Sequence, residues 1–289
     1  MSEESNKEQQ NTKTGRKRKN PEAEMSFLEH LEVLRWHIIR SFLAIFIFAI
    51  LAFIFKNFIF DELILKPKTP EFWTNRMFAK LSDLLGIESL KINTKPLNLI
   101  SISMSGQFSA HIMISLISGL IFASPYVIYE FWKFLKPALY DNERKYARGA
   151  AFYMSALFIM GVLFGYYLIV PLSIHFLSSY SISSEVTNQI YMMSYISTVT
   201  SICLAGGVVF ELPILVYFLS KVGIISPEFL KKYRKHAYVL LLLLSAIITP
   251  PDIFSQILVC IPLVILYEAG IIISKRVIKQ SEKKEEDNK

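Results

Sequence analysis

The chain has 289 residues, of which 53% are hydrophobic and 19% charged, with a formal net charge of +7. Six apolar stretches within this composition exclude a water-soluble fold and predict an integral membrane protein. The positive charge does not indicate a nucleic-acid partner, because no predicted helix combines a basic stripe with aromatic stacking residues.

The chain opens with a polar segment. We expect residues 1–24 to form a disordered, basic cytoplasmic tail. No secretory signal or transit peptide is predicted, because the basic run at residues 16–19 is followed by acidic and amphipathic sequence. Phe27, Leu31, Leu34 and Ile38 then recur at helical spacing, which predicts an amphipathic helix along the cytoplasmic interface.

The polar side of this helix carries Glu29, Glu32 and Arg35. Ser26 and Glu29 fit a capping box, so Glu29 either caps the helix or binds a ligand. A pair between Glu32 and Arg35 at i+3 would contribute only about 0.2–0.5 kcal/mol, which leaves Glu32 available to a ligand.

The apolar stretches predict an all-α membrane protein with six transmembrane helices. Five are long enough to cross a hydrocarbon core of roughly 30 Å, whereas the fifth in chain order spans only about 20 Å before a Thr-Pro-Pro-Asp break. The predicted spans are Ile38–Phe55, Phe108–Tyr129, Ala150–Ile174, Ser194–Ser220, Ala237–Thr249 and Ile253–Ser274.

The basic residues set the orientation. The segment up to and including Arg40 carries eight Lys or Arg, whereas residues 176–193 and 249–252 carry none. By the positive-inside rule, both termini and the second and fourth connections are cytoplasmic. We therefore expect a membrane domain over residues 25–274, followed by a charged cytoplasmic tail over 275–289.

The second connection carries a candidate binding carboxylate. Pro137 is expected to end the incoming helix, and Asp141 to cap the next. Glu143 then lies in a first helical turn, where the helix dipole stabilises a carboxylate. This structural role and the binding of a guanidinium are both compatible with the position.

Glu211 lies deep within the fourth span, where an unpaired carboxylate costs a few kcal/mol. It is either a hydrogen-bonded or protonated bundle residue or a functional polar contact. Pro213, two residues later, is expected to bend the helix and open a concavity beside it. Glu268, near the cytoplasmic end of the sixth span, is expected to snorkel or to pair with Lys275.

The histidines are scattered along the chain, so no metal site is predicted. No catalytic or phosphate-binding motif is present, so the sequence predicts no cofactor and no enzymatic activity.

Four ordered motifs resemble the TatC family, the multi-span receptor of the twin-arginine protein translocase. The resemblance covers about residues 25–274 and implies a concave bundle with short fifth and sixth helices in the bacterial cytoplasmic membrane. The motifs are residues 26–35, Phe131 to Arg144, Phe210 to Pro213, and Thr249 to Gln256.

The resemblance also implies function. It implies a receptor that binds twin-arginine signal peptides of folded precursors and recruits single-span TatA/TatB-type subunits, as a homo-oligomer within a larger complex. Its signal-peptide site corresponds to Glu143, Phe134, Arg144 and Arg35. In the family pattern His-Leu-x-Glu-Leu-Arg, the glutamate position is Val33 here, so Glu32 or Glu29 is the candidate second acid.

The resemblance further assigns the contact with partner helices to Glu211, Asp252 and Gln256. The alternative functions are a proton-coupled small-solute transporter and an intramembrane hydrolase. A proton-coupled small-solute transporter using Glu211 would be expected to show paired broken helices in two matched halves, which we do not find. An intramembrane hydrolase would need a nucleophile paired with a base, and the sequence predicts no such pair.

Overall fold

The computed structural model describes residues 27–95, 97–135, 147–183, 185, 188–249 and 253–287, and the described chain is mostly helical. The α-helices are α1 (Phe27–Ile54), α2 (Trp73–Leu85), α3 (Gly106–Leu135), α4 (Ala147–Phe164), α5 (Val170–Ser179), α6 (Met192–Val209), α7 (Leu212–Lys221), α8 (Pro227–Lys232), α9 (Arg234–Ile248) and α10 (Ile253–Asp287). Turns of π-helix or 3-10 helix occupy Phe58–Ile64, Lys66–Lys68, Glu88–Leu90 and Gly165–Ile169. Two short strands, β1 (Leu99–Ile100) and β2 (Ile190–Tyr191), pair in parallel.

Five helical stretches among the described residues are long and apolar enough to cross a membrane. They coincide with predicted spans one to four and six, so the all-α membrane fold is confirmed. The stretches are Leu31–Ile54, Gly106–Phe134, Ala151–Ser179, Met192–Lys221 and Gln256–Lys279. The predicted fifth span corresponds to α9, whose 15 residues extend only about 22 Å.

Three helices differ from their predicted boundaries. The amphipathic segment and the first span form one continuous helix, α1. The second span continues past Tyr129 to Leu135, which brings Glu130 into the helix. The sixth helix is longer than predicted, because α10 has 35 residues and continues beyond Ser274. Apolar periodicity marks where a helix enters lipid, but it does not mark where the helix ends.

The long first external connection folds against the outer end of the bundle. The Asn93 side chain donates a hydrogen bond of 2.9 Å to the Pro171 carbonyl at the start of α5. Asn75 in α2 donates to the Pro67 carbonyl at 3.1 Å. These amides satisfy buried carbonyl groups, so the connection is an ordered cap.

Glu268 ties α10 to α9. It accepts hydrogen bonds from the Arg234 guanidinium and from the Tyr238 hydroxyl, each at 2.5 Å. The predicted pairing with Lys275 is therefore wrong. Lys275 is seven residues along the same helix, about 10 Å away along the axis, whereas Arg234 reaches across from the neighbouring helix.

Candidate functional site

The first predicted binding segment forms the cytoplasmic end of α1. Glu32 and Arg35 are both exposed on this helix, so their charged groups are open to a ligand. Glu29 lies within the same helix. The capping role and the binding role of Glu29 both stay predictions.

The second binding segment begins at the end of α3. The Phe134 ring packs edge-on against the His37 ring of α1, with 6.2 Å between ring centroids. This contact brings the cytoplasmic ends of α1 and α3 together, although 93 residues separate the facing positions His37 and Glu130. Glu143 and Arg144 lie outside the described residues.

A buried ionisable pair lies directly beneath Phe134. The Nδ1 atom of His37 lies 2.5 Å from a carboxylate oxygen of Glu130, and the two residues are 9% and 3% exposed. Sequence reasoning missed this pair, because the predicted span ended at Tyr129 and Glu130 was assigned to the connection. The signal was nevertheless present, since an acid inside an apolar helix is a candidate functional residue.

Glu211 occupies the break between α6 and α7. Phe210 and Glu211 form a turn, and Pro213 lies in the first turn of α7, where its missing N–H interrupts the backbone hydrogen bonds of the span. Both carboxylate oxygens of Glu211 are buried, and they have no hydrogen-bond partner among the described residues. The interruption of the helix expected beside Pro213 is present, and the acid that it holds has no hydrogen-bond partner among the described residues.

The third predicted site is the external turn between α9 and α10. Gln256 donates a hydrogen bond of 3.2 Å to the Leu242 carbonyl, which fixes the start of α10 against α9. Asp252 lies outside the described residues. Gln256 therefore has a structural contact in addition to its predicted contact with a partner helix.

An apolar cavity of about 250 Å³ opens between the second, third and fourth spans and the segment after α1. Its lining includes Ile64, Ile121, Ile159, Val162, Val199 and Cys203. Aliphatic walls of this kind accept lipid chains or apolar side chains and offer little to a charged solute.

Comparison with known proteins agrees with this architecture. Residues 29–262 match the family described as Sec-independent protein translocase protein (TatC). The chain is 45% identical over 264 residues to the Sec-independent protein translocase protein TatC of Blattabacterium sp. subsp. Periplaneta americana, an alignment that covers 91% of this chain and 99% of the relative. It is 34% identical over 252 residues to the TatC of Aquifex aeolicus, with 87% of this chain and 95% of the relative covered.

Two solved crystal structures are similar to this chain in fold. A crystal structure described as the twin arginine translocase receptor TatC in DDM matches with a TM-score of 0.66 and 34% identity. The match covers 85% of this chain and 99% of that chain. A second crystal structure of the twin arginine translocase receptor TatC matches with a TM-score of 0.61 and 32% identity.

Proposed function

The chain belongs to the TatC family of Sec-independent protein translocase proteins, and from that premise we propose that it is the translocase subunit that binds twin-arginine signal peptides. It is a multi-pass protein of the bacterial inner membrane and a component of the Tat protein-transport complex. Family membership favours this role over a small-solute carrier or an intramembrane hydrolase.

The contact between His37 and Phe134 carries the proposal. It joins the two segments that the family resemblance assigns to signal-peptide binding, the start of α1 and the end of α3. Glu32 and Arg35 are exposed on the same helix, five and two residues before His37. An exposed carboxylate and an aromatic ring suit a peptide that combines guanidinium groups with an apolar segment. A carboxylate binds a guanidinium through two parallel hydrogen bonds.

A peptide titration tests the proposal. We expect the full chain in nanodiscs to bind a signal peptide containing Arg-Arg at least about tenfold more tightly than the same peptide with Lys-Lys, because lysine lacks the planar fork. Fluorescence anisotropy of a labelled peptide measures both affinities. Photo-cross-linking from positions 29, 32, 33 and 143 then locates the peptide. Equal affinity for the two peptides would reject the proposal.

We further propose that single-span partner subunits dock beside Glu211, with Asp252 and Gln256 contributing at the external turn. The support is the Glu211 carboxylate, which has no hydrogen-bond partner in the part of the chain that the structure describes. A buried polar group without a hydrogen bond costs about 1–3 kcal/mol, and a polar side chain on a partner helix would recover that cost. Hydrogen bonds between transmembrane helices contribute about 0.6–2 kcal/mol in measured cases.

Replacing Glu211 with leucine separates the cost of burying its carboxylate from the proposed contact with partner helices. We expect Glu211→Leu to raise the stability of the isolated subunit by about 1–3 kcal/mol, because it removes an unsatisfied buried group. We also expect it to weaken co-purification of the single-span subunits. Thermal unfolding in detergent and quantitative pull-down measure the two outcomes.

Glu268→Leu is the matched control. Glu268 accepts two hydrogen bonds, from Arg234 and Tyr238, so its loss leaves two donors without an acceptor and lowers the melting temperature. Co-purification should persist in this variant. A Glu211→Leu protein that is destabilised like Glu268→Leu and retains its partners would contradict the assignment.

A further inference from the structure

The pair formed by His37 and Glu130 joins α1 to α3 inside the membrane domain. Its nitrogen-to-oxygen distance is 2.5 Å, and both residues are nearly enclosed. Tyr126, one turn earlier on α3, interacts with the same carboxylate. A charged or strongly polar pair inside a span is expensive unless it is fully bonded, so its position calls for an explanation beyond helix packing.

The pair lies one helical turn beneath the proposed signal-peptide site. Val33 precedes His37 by four residues on α1, and Phe134 follows Glu130 by four residues on α3. Residues four apart share a helix face, so Val33 and Phe134 cover the pair from the cytoplasmic side. The depth between the two levels is about 6 Å, which the long side chain of an arginine can span.

Glu32 of α1 does not point to this location. Glu32 is exposed, and it is rotated by about 100 degrees from the half-buried Val33, which shares the face of His37. Glu130, by contrast, is enclosed between α1 and α3. The carboxylate on the α1–α3 contact therefore comes from the second span, and Val33 leaves the space above it apolar.

We propose that Glu130 is a second carboxylate of the signal-peptide site and that it accepts one guanidinium of the twin-arginine pair in exchange for His37. This inference rests on the proposed function. Before the peptide binds, the imidazole of His37 holds the carboxylate. After binding, a guanidinium occupies the carboxylate, and the displaced imidazole stays against the Phe134 ring that it already contacts edge-on.

The exchange has a clear physical advantage. Leaving a buried charge without a partner is strongly destabilising, and the carboxylate here has a partner both before and after binding. A guanidinium supplies two parallel N–H donors to one carboxylate, where the imidazole supplies one. An ammonium group offers only a point charge, and the site therefore selects arginine over lysine.

Moving the carboxylate from position 130 to position 33 tests the inference. We expect Glu130→Gln to weaken the Arg-Arg peptide about 10- to 100-fold, because a charge-assisted contact is lost, and to bring its affinity close to that of the Lys-Lys peptide. Adding Val33→Glu to Glu130→Gln should then restore most of the lost affinity, since it returns a carboxylate to the same face one turn higher. The full chain in nanodiscs is titrated with both labelled peptides, and the melting temperature is recorded for each variant.

Glu268→Gln is the matched control, because it neutralises another hydrogen-bonded span glutamate away from the α1–α3 contact and should leave both peptide affinities unchanged. If Glu130→Gln binds the Arg-Arg peptide like the parent, or if Val33→Glu restores nothing, the pair is a structural clamp and the inference is overturned while the receptor function stands. If the parent chain itself binds the two peptides equally, the receptor function fails and the inference fails with it.

Discussion

Replacing Gly206 with leucine is expected to prevent formation of the native bundle. A Cβ atom at Gly206 would lie 2.5 Å from the Gly161 carbonyl oxygen on α4, and one at Gly161 would lie 2.3 Å from the Gly206 carbonyl oxygen. Both obstacles are backbone atoms, which cannot move aside as a side chain does. The helices would have to separate, so we expect a loss above about 3 kcal/mol, the upper end of ordinary overpacking.

The chemistry of membrane packing explains the size of this effect. Helices in lipid gain no hydrophobic driving force from association, so they depend on close van der Waals contact between small residues. Gly161 and Gly165 are four residues apart and both approach α6. Leucine at position 206 removes that close approach along the whole crossing.

The two cysteines allow unfolding to be measured. Cys203 is buried one turn from Gly206, and Cys260 is half-buried, so a thiol-reactive dye reports unfolding in detergent. Gly149→Leu is the matched control, because Gly149 is exposed in α4 and a Cβ there meets no described atom within 4 Å. Similar melting temperatures for Gly206→Leu and Gly149→Leu would mean that the crossing is not as close as described.

Neutralising Glu143 is expected to have the largest effect on peptide affinity. Glu143→Gln keeps the size of the side chain but replaces a carboxylate with an amide, which cannot offer two charged oxygens to a guanidinium. Each charge-assisted hydrogen bond contributes about 1.5–3 kcal/mol. Losing two of them should weaken an Arg-Arg peptide by about 100-fold or more, with little change for Lys-Lys.

Glu228→Gln is the control for charge alone. Glu228 is an exposed acid at the start of α8, in another connection that the charge pattern assigns to the cytoplasm. Backbone N–H and Ser226 hydrogen bonds hold its pKa below the usual range, so it is ionised like a binding carboxylate. Peptide titration and melting temperature are measured for both variants. An equal loss in both would indicate general attraction of the basic peptide, and no loss in Glu143→Gln would remove Glu143 from the site.

Most of the fold was predictable from the sequence. Apolar length located the five long spans, and the Thr-Pro-Pro-Asp break located the short α9. Pro213 marked the interruption of the fourth span. These features are local, because a backbone in lipid must bond within its own helix, and helix length and proline position decide where that is possible.

The site was predictable only in part. Motif order identified Phe134 and Arg35, but no sequence pattern connected Glu130 with His37. Helical periodicity reports which face of a helix is apolar, but it does not report which helix lies opposite. A contact between residues 93 positions apart follows only from the packing of α1 on α3.

The sequence by itself therefore determined the membrane class, the orientation, the spans and the family of this protein. Only the tertiary structure decided that Glu268 bonds to Arg234, that Gly161 and Gly206 let two backbones touch, and that Glu130 is enclosed against His37 beneath Phe134. The physical reason is that helix formation in a bilayer depends on neighbouring residues, whereas the partner of a buried polar group is set by the helix that packs against it.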